Sequence, residues 1–488
     1  MGELISKITE KGFLVSPDLK VEEEQIENFL KFLDGVEPKP FMITNDTYNK
    51  FKKTIQETPK EIIVKRPVKN ERPFIETKVE IKKNYVQKNR ETNITDWVNY
   101  YTDRYERLKK ILMNREELRG ALSIKRLERM AGRNEVVLIG MISNIHKTLA
   151  GKYIVTLEDP SGTVRVYLKE EAADVASELV CDEVIGVVGV SSKNYVYASK
   201  ILFPDIPGRE TKKADEDVYA AFISDVHVGS NMFLVDSFRQ FIKWMRCETG
   251  TNEQKEIASK TKYLFVCGDI VDGVGVYPGQ EKELIIKNIY DQYREFAKYM
   301  YQIPSDVNII MIPGNHDALK LAEPQHALFK DLAAPLYELE NATMLSNPSY
   351  VNIHKNSNFS GFNTLLYHGT SFDHFVAEVP KLRETGYERG DRIMEFLLKK
   401  RHLAPTHTST RTDPTSEDFL TIDKIPDIFA TGHIHFTSVG KYKHITTINS
   451  GCFQDKTEFQ LKVGHNPTPG HVPIFSLKEN KVKVMRFV

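Results

Sequence analysis

The chain has 488 residues, 41% of them hydrophobic and 27% charged, with 67 basic and 67 acidic side chains. That length exceeds one ordinary domain and points to about two to four, each able to bury a core. A net charge of zero excludes a polybasic or polyacidic protein, so any nucleic-acid surface must come from local asymmetry. No apolar run approaches the ~18 residues of a membrane span, and the N-terminus, with Glu3, lacks a basic-then-apolar leader. Cys181, Cys247, Cys267 and Cys452 are scattered without C-x-x-C spacing, so free thiols in a reducing cytoplasm are expected.

In chain order, residues 1–50 read as a small helical domain, with Ile26, Phe29, Leu30 and Leu33 on one stripe. Residues 51–95 lose periodicity and carry twelve basic against six acidic residues, so a basic flexible linker able to touch phosphates is expected. Residues 96–133 form a helical lead-in. Asp96 is positioned to cap a helix from Trp97 to Met113, with Tyr101, Tyr105 and Leu108 inward and basic residues outward. A shorter helix follows around Ser123 to Met130.

Residues 134–205 switch to strand period. Strands at 136–143, 152–158 and 164–168, a short helix over 171–179, and strands at 184–190 and 195–201 give β-β-β-α-β-β, the order of an OB-fold barrel. Such barrels serve as strand binders or protein adaptors, and Tyr153 and Tyr167 are the main stacking candidates on strands two and three. A charged linker, 206–217, leads to an alternation of strands and helices over 218–488, which is α/β.

The chemistry sits in that last region. Five short apolar runs each end in a burst of oxygen or imidazole donors: Asp225-Val-His227, Gly268-Asp269-Ile-Val-Asp272, Gly314-Asn315-His316-Asp317, His368-Gly369 and Gly432-His433-Ile-His435. Any one is an ordinary polar loop. Together they hold five of the fourteen histidines, and strand ends offer no packing reason for them. Asp, His and Asn without cysteine suit two divalent ions such as manganese, iron or zinc. Two ions about 3.5–4 Å apart clamp the attacking and leaving oxygens of a phosphoester, and a carboxylate such as Asp269 is suited to bridge them.

This set resembles calcineurin-like metallophosphoesterases. The resemblance implies that Asp225, His227 and His435 complete one ion around Asp269, and Asn315, His368 and His433 the other. It leaves His316 as the catalytic residue that orients the phosphate and protonates the leaving oxygen, with Asp272 and Asp317 orienting histidines from behind. The expected fold is α/β in an α+β multidomain chain: a calcineurin-like β-sandwich with flanking helices, preceded by an OB-fold barrel and a small helical N-terminal unit.

An OB-fold ahead of such a domain, with every metal motif present, is similar to the small subunits of archaeal DNA polymerase D (polymerase II). Gly273-Val-Gly-Val-Tyr-Pro-Gly-Gln-Glu281, Lys399-Lys-Arg-His-Leu-Ala-Pro405, Asn449-Ser-Gly451 and Thr468-Pro-Gly-His-Val-Pro473 also match. The resemblance covers about residues 97–488 and implies a Mn-dependent 3′→5′ exonuclease that proofreads DNA. Its implied partners are a large catalytic polymerase subunit, the primer 3′ end, and other replication factors docking on the N-terminal region. A cytoplasmic, nucleoid-associated protein with no membrane contact is expected. The alternatives are a non-catalytic scaffold for the large subunit and a stand-alone phosphodiesterase or phosphatase.

Overall fold

A computed structural model describes residues 72–87, 91–130, 132–168, 175–192, 195–457, 460–461 and 466–488, together with 42–57 and short pieces of the first 41. The chain divides into two units, residues 1–65 and 66–488. In the first, β1 (Leu14–Val15) pairs in parallel with β2 (Met42–Ile43), and α1 (Asn45–Glu57) follows. Phe29, Leu33, Tyr48 and Phe51 are buried together there. The helix runs through the expected boundary at residue 50.

The second unit holds a sandwich of two six-stranded sheets and a closed barrel. Its first strand, β3 (Val79–Asn84), corrects the expectation of a flexible linker over 51–95. It pairs antiparallel along residues 349–353. Just ahead of it, the Arg72 guanidinium donates to the carbonyls of Met245 (2.9 Å), Ala258 (2.7 Å) and Thr261. Residues 72–87 are therefore a strap across the sandwich, and 58–71 lie outside the described residues.

Helix α2 (Ile94–Leu112) starts three residues earlier than expected. Asn93 caps it, and Asp96 completes the capping box from the third position by accepting the Asn93 N–H at 2.9 Å. Of the basic residues expected to face outward, Arg104 is buried, held by Asp418 at 2.7 Å and Tyr100 at 3.0 Å. Helix α3 (Ile124–Glu128) leads into the barrel. Its strands β4 (Glu135–Lys147), β5 (Tyr153–Asp159), β6 (Gly162–Leu168), β7 (Val184–Ser192) and β8 (Tyr195–Leu202) close in the order β4-β5-β6-β8-β7, compatible with an OB-fold. The expected helix over 171–179 lies partly outside the described residues. The 206–217 connection is pinned, since Arg209 and Lys212 both pair with Asp427.

The sandwich explains the continuous apolar runs. β9 (Tyr219–Ile223) is followed by α4 (Val235–Met245) and α5 (Asn252–Lys260); β10 (Thr261–Cys267) by α6 (Ile289–Met300); and β11 (Asn308–Ile312) by α7 (Ala334–Tyr337) and β12 (Ala342–Met344). β9 to β12 are mutually parallel and covered on both faces. In β10, Tyr263, Phe265 and Cys267 enter the core between the sheets, while Leu264 and Val266 meet the outer helices.

The second sheet contains β13 (Ser349–Ile353), β14 (Phe362–Leu366), β15 (Ile428–Thr431), β16 (Thr437–Tyr442) and β17 (Ile445–Ser450). Helices α8 (Phe372–Glu378), α9 (Pro380–Thr385) and α10 (Gly390–Lys400) carry the residues that cover its outer face. β18 (His471–Ser476) and β19 (Lys481–Arg486) return the chain to the first sheet, antiparallel beside β9. Four layers, helix-sheet-sheet-helix, thus surround one inter-sheet core in which Phe222 and Phe265 stack at 4.8 Å.

Candidate metal centre

The five donor bursts follow β9, β10, β11, β14 and β15, so parallel strands from both sheets deliver them to one carboxyl edge. Backbone bonds lace these loops together. Asp225 N–H donates to Gly268 O (3.0 Å), His227 N–H to Asp269 O (3.1 Å), and Gly432 N–H to His368 O (2.8 Å). Among the described residues, twelve other than glycine have positive φ, and five are Asp225, His227, Asp269, His433 and His435. Left-handed backbone costs such residues roughly 1–2 kcal/mol each, and its concentration here marks a site whose geometry outweighs local preference.

The side chains converge in the groups the motifs imply. Asp225, His227 and His435 form one potential ion site, Asp269, His368 and His433 a second, and His316 lies with His227 and Asp269. His435 Nε2 is 3.3 Å from Asp225 Oδ1 and 3.1 Å from His227 Nε2. His368 Nε2 is 3.3 Å from Asp269 Oδ2 and 3.0 Å from Asn315 Oδ1. Asp225, His227, Asp269 and His368 are buried, while Asn315, His316 and His433 are half-buried at the mouth. Glycine makes the approach possible: a β-carbon at Gly314 would collide with the Asp269 carboxylate and the His368 ring, and one at Gly432 with Ser224 and Asp225.

The donors fit divalent ions. Asp225 Oδ1 is buried with no hydrogen-bond donor aligned on it, a costly state for a carboxylate unless a cation takes that oxygen. The remote nitrogens are engaged as well. His227 Nδ1 faces Asp272 Oδ1 at 3.0 Å, and His368 Nδ1 donates to the Cys267 carbonyl at 2.8 Å. Both rings therefore turn Nε2 inward, where an ion would displace its proton. Burial opposes charge on His368, but the Asp269 carboxylate outweighs it and lifts the imidazole to about 10. Burial likewise opposes ionisation of Asp269, and the surrounding histidines hold it well below the usual carboxylate range. These opposed charges occupy the place of a cation and its neutral ligands.

The flanking carboxylates divide. Asp272 faces a histidine, His227. Asp317 instead holds backbone, accepting from Gly314 N (2.9 Å), Tyr293 Oη (3.2 Å) and Ile270 N (3.3 Å). Burial, then Asp269, pushes the Asp317 carboxyl up to about 7. Four supporting side chains escaped the sequence reading. Asp373 lies 3.0 Å from His433 Nε2, and Gln460 Nε2 2.8 Å from His435 Nδ1. Gln454 donates to Asp272 Oδ1 at 3.1 Å, and Asn449 to Gly432 O at 2.6 Å. Of these, Asn449 alone stood in a singled-out stretch; the others sit in no donor burst.

Residues 219–436 match the calcineurin-like phosphoesterase family. Over 399 residues the chain is 43% identical to the DNA polymerase II small subunit of Methanothermobacter thermautotrophicus, covering 81% of this chain and 80% of that protein. The chain belongs to the DNA polymerase II small-subunit family. The small subunit from Methanocaldococcus jannaschii is 40% identical over 79% of this chain and 64% of that protein, and the one from Archaeoglobus fulgidus 38% over 78% and 75%. Among the family's features, the phosphoesterase domain supports metal-dependent phosphoester hydrolysis. Among the described residues no helix is long and apolar enough to cross a membrane.

Proposed function

We propose that the chain is a 3′→5′ exonuclease that proofreads DNA as the small subunit of a two-subunit archaeal replicative polymerase. The observation that carries this reading is the complete donor set at one sheet edge, with no hydrogen-bond donor aligned on the buried Asp225 Oδ1. Asp225, His227, Asp269 and His435 would hold one divalent ion, and Asp269, Asn315, His368 and His433 a second, with manganese the first choice. Such a pair supplies Lewis acidity and a nucleophile at neutral pH.

His316 is the residue for the leaving oxygen. Its Nδ1 donates to the Asp272 carbonyl at 2.9 Å, which fixes the ring and leaves Nε2 to exchange a proton with substrate. Membership of a small-subunit family supports a large catalytic subunit as partner, and the primer 3′ end is the proposed substrate. The N-terminal unit is a candidate dock for other replication factors, and the cytoplasmic nucleoid the expected location.

Oligonucleotides labelled at the 3′ or 5′ end, incubated with Mn²⁺ or chelator, test this reading. Mn-dependent release from the 3′ end is expected, lost in Asp269→Ala and His316→Ala. Digestion by both variants at the wild-type rate refutes it. A chain that binds no metal and cleaves no DNA would favour the scaffold, and turnover of small phosphoesters with no activity on DNA the stand-alone phosphodiesterase or phosphatase.

A further inference from the structure

The loop that follows the second donor burst, residues 273–283, has an exposed apolar crest at the mouth of the charged site. Val274 is 51% exposed and Val276 37%, with Tyr277 half-buried beside them. Nothing in phosphate chemistry calls for such a surface. The Tyr277 ring lies edge-on to His316 with centroids 6.3 Å apart, and His316 in turn lies 4.6 Å from His227. The tyrosine is therefore two ring contacts from the proposed ion ligand His227, beside the histidine proposed for the leaving oxygen.

The loop is held rigid against that histidine. Gln280, fully buried, accepts from Val276 N at 2.9 Å and donates to Asp272 O at 2.8 Å and Asp272 Oδ2 at 2.9 Å. One amide thus fastens the loop to the residue whose carboxylate holds His227 and whose carbonyl holds His316. Gln292 clamps the loop base, accepting from Gly273 N (2.9 Å) and donating to Gly273 O (3.0 Å) and Ile286 O (2.7 Å). Tyr277 Oη donates to Glu283 at 2.9 Å, which fixes the ring plane. A preformed aromatic wall costs little ordering on binding.

We infer that Tyr277 and its loop form a nucleobase-facing wall that stacks on a base flanking the scissile phosphate, which makes a nucleic-acid strand the preferred substrate of this site. The inference rests on the proposed DNA cleavage. A phosphate seated at His316 puts the adjoining nucleoside beside the ring, and base–aromatic stacking is tolerant of sequence, as an exonuclease needs.

The full chain is assayed with Mn²⁺ on a labelled single strand and on the same strand with abasic residues on both sides of the terminal phosphodiester. Wild type should prefer the base-bearing strand. Tyr277→Ala should reduce that preference about tenfold, and Tyr277→Phe, which keeps the ring and loses the Glu283 bond, should retain it. An equal loss on both strands in Tyr277→Ala, or loss of the preference in Tyr277→Phe, makes the residue a loop brace and overturns the inference. A wild type that cuts both strands equally overturns the inference alone. A wild type that cuts neither overturns the proposed function, and the wall with it.

Discussion

Asp272→Asn separates the orientation of His227 from its presence. Asp272 is 1% exposed, and its Oδ1 accepts from His227 Nδ1 (3.0 Å) and Gln454 (3.1 Å) while Oδ2 accepts from Gln280 (2.9 Å). Asparagine replaces one oxygen by an NH₂ group. Turned either way, that group meets a donor: Gln280 on one side, His227 and Gln454 on the other. Gln280 can relieve the clash only by reversing its amide, which sets its NH₂ against Val276 N–H and gives up the Asp272 carbonyl.

A buried donor left facing a donor costs roughly 1–3 kcal/mol. Losing the carboxylate behind a metal-bound histidine typically weakens the ion by about 10–100-fold. Titration of the full chain with Mn²⁺, following free Mn²⁺ by electron paramagnetic resonance, should show one class of site weakened by that factor. Urea unfolding of the metal-free chain gauges the stability cost separately. Mn²⁺ affinity within about twofold of wild type would refute the idea that Asp272 orients His227.

Three further outcomes follow from buried polar groups. His402 receives Ala404 N–H on Nδ1 (3.0 Å) and donates Nε2–H to Asp418 (2.7 Å), and burial, then Arg104, pushes its pKa down to about 4. Its folded pKa is below the unfolded value of about 6.5, so this contribution is complete above that pH and is lost as pH falls towards 4. The loss amounts to roughly 3 kcal/mol; urea midpoints at pH 7 and 4.5 should show it, and His402→Gln should flatten it. Arg72→Ala strips three carbonyls of their donor and should lower stability by roughly 2–4 kcal/mol, read as a lower urea midpoint. The discount for charge is large because Asp306 is partly exposed and keeps Lys262. Gly432→Ala drives a methyl into Ser224 and Asp225 and should weaken Mn²⁺ binding at the Asp225 site at least about tenfold; unchanged binding would mean the turn can yield.

The sequence by itself determined where the candidate donors are. A strand buried on both faces must be apolar throughout, so β9, β10, β11, β14 and β15 stand out as runs, and the donors that end them are contiguous in the chain. The same local logic identified the barrel strands, whose alternation reports one inward face. Tertiary structure alone decided the rest, because each remaining partner is distant in sequence. The 72–87 strap looked like a tether because its ladder partner, β13, lies some 270 residues on. Arg104 looked like a solvated charge because Asp418 and His402 arrive from the other end of the chain. The stretch Lys399–Pro405, conspicuous as a motif, proved to be the junction: Lys400 pairs with Glu183 of the barrel at 2.7 Å, and the Pro405 carbonyl accepts from Arg104 at 2.6 Å. Gln454, Gln460 and Asp373 stand in no stretch that the sequence singles out, since a lone polar residue declares its role only through the group it faces. Periodicity reports which side of an element is buried; it does not report what waits there.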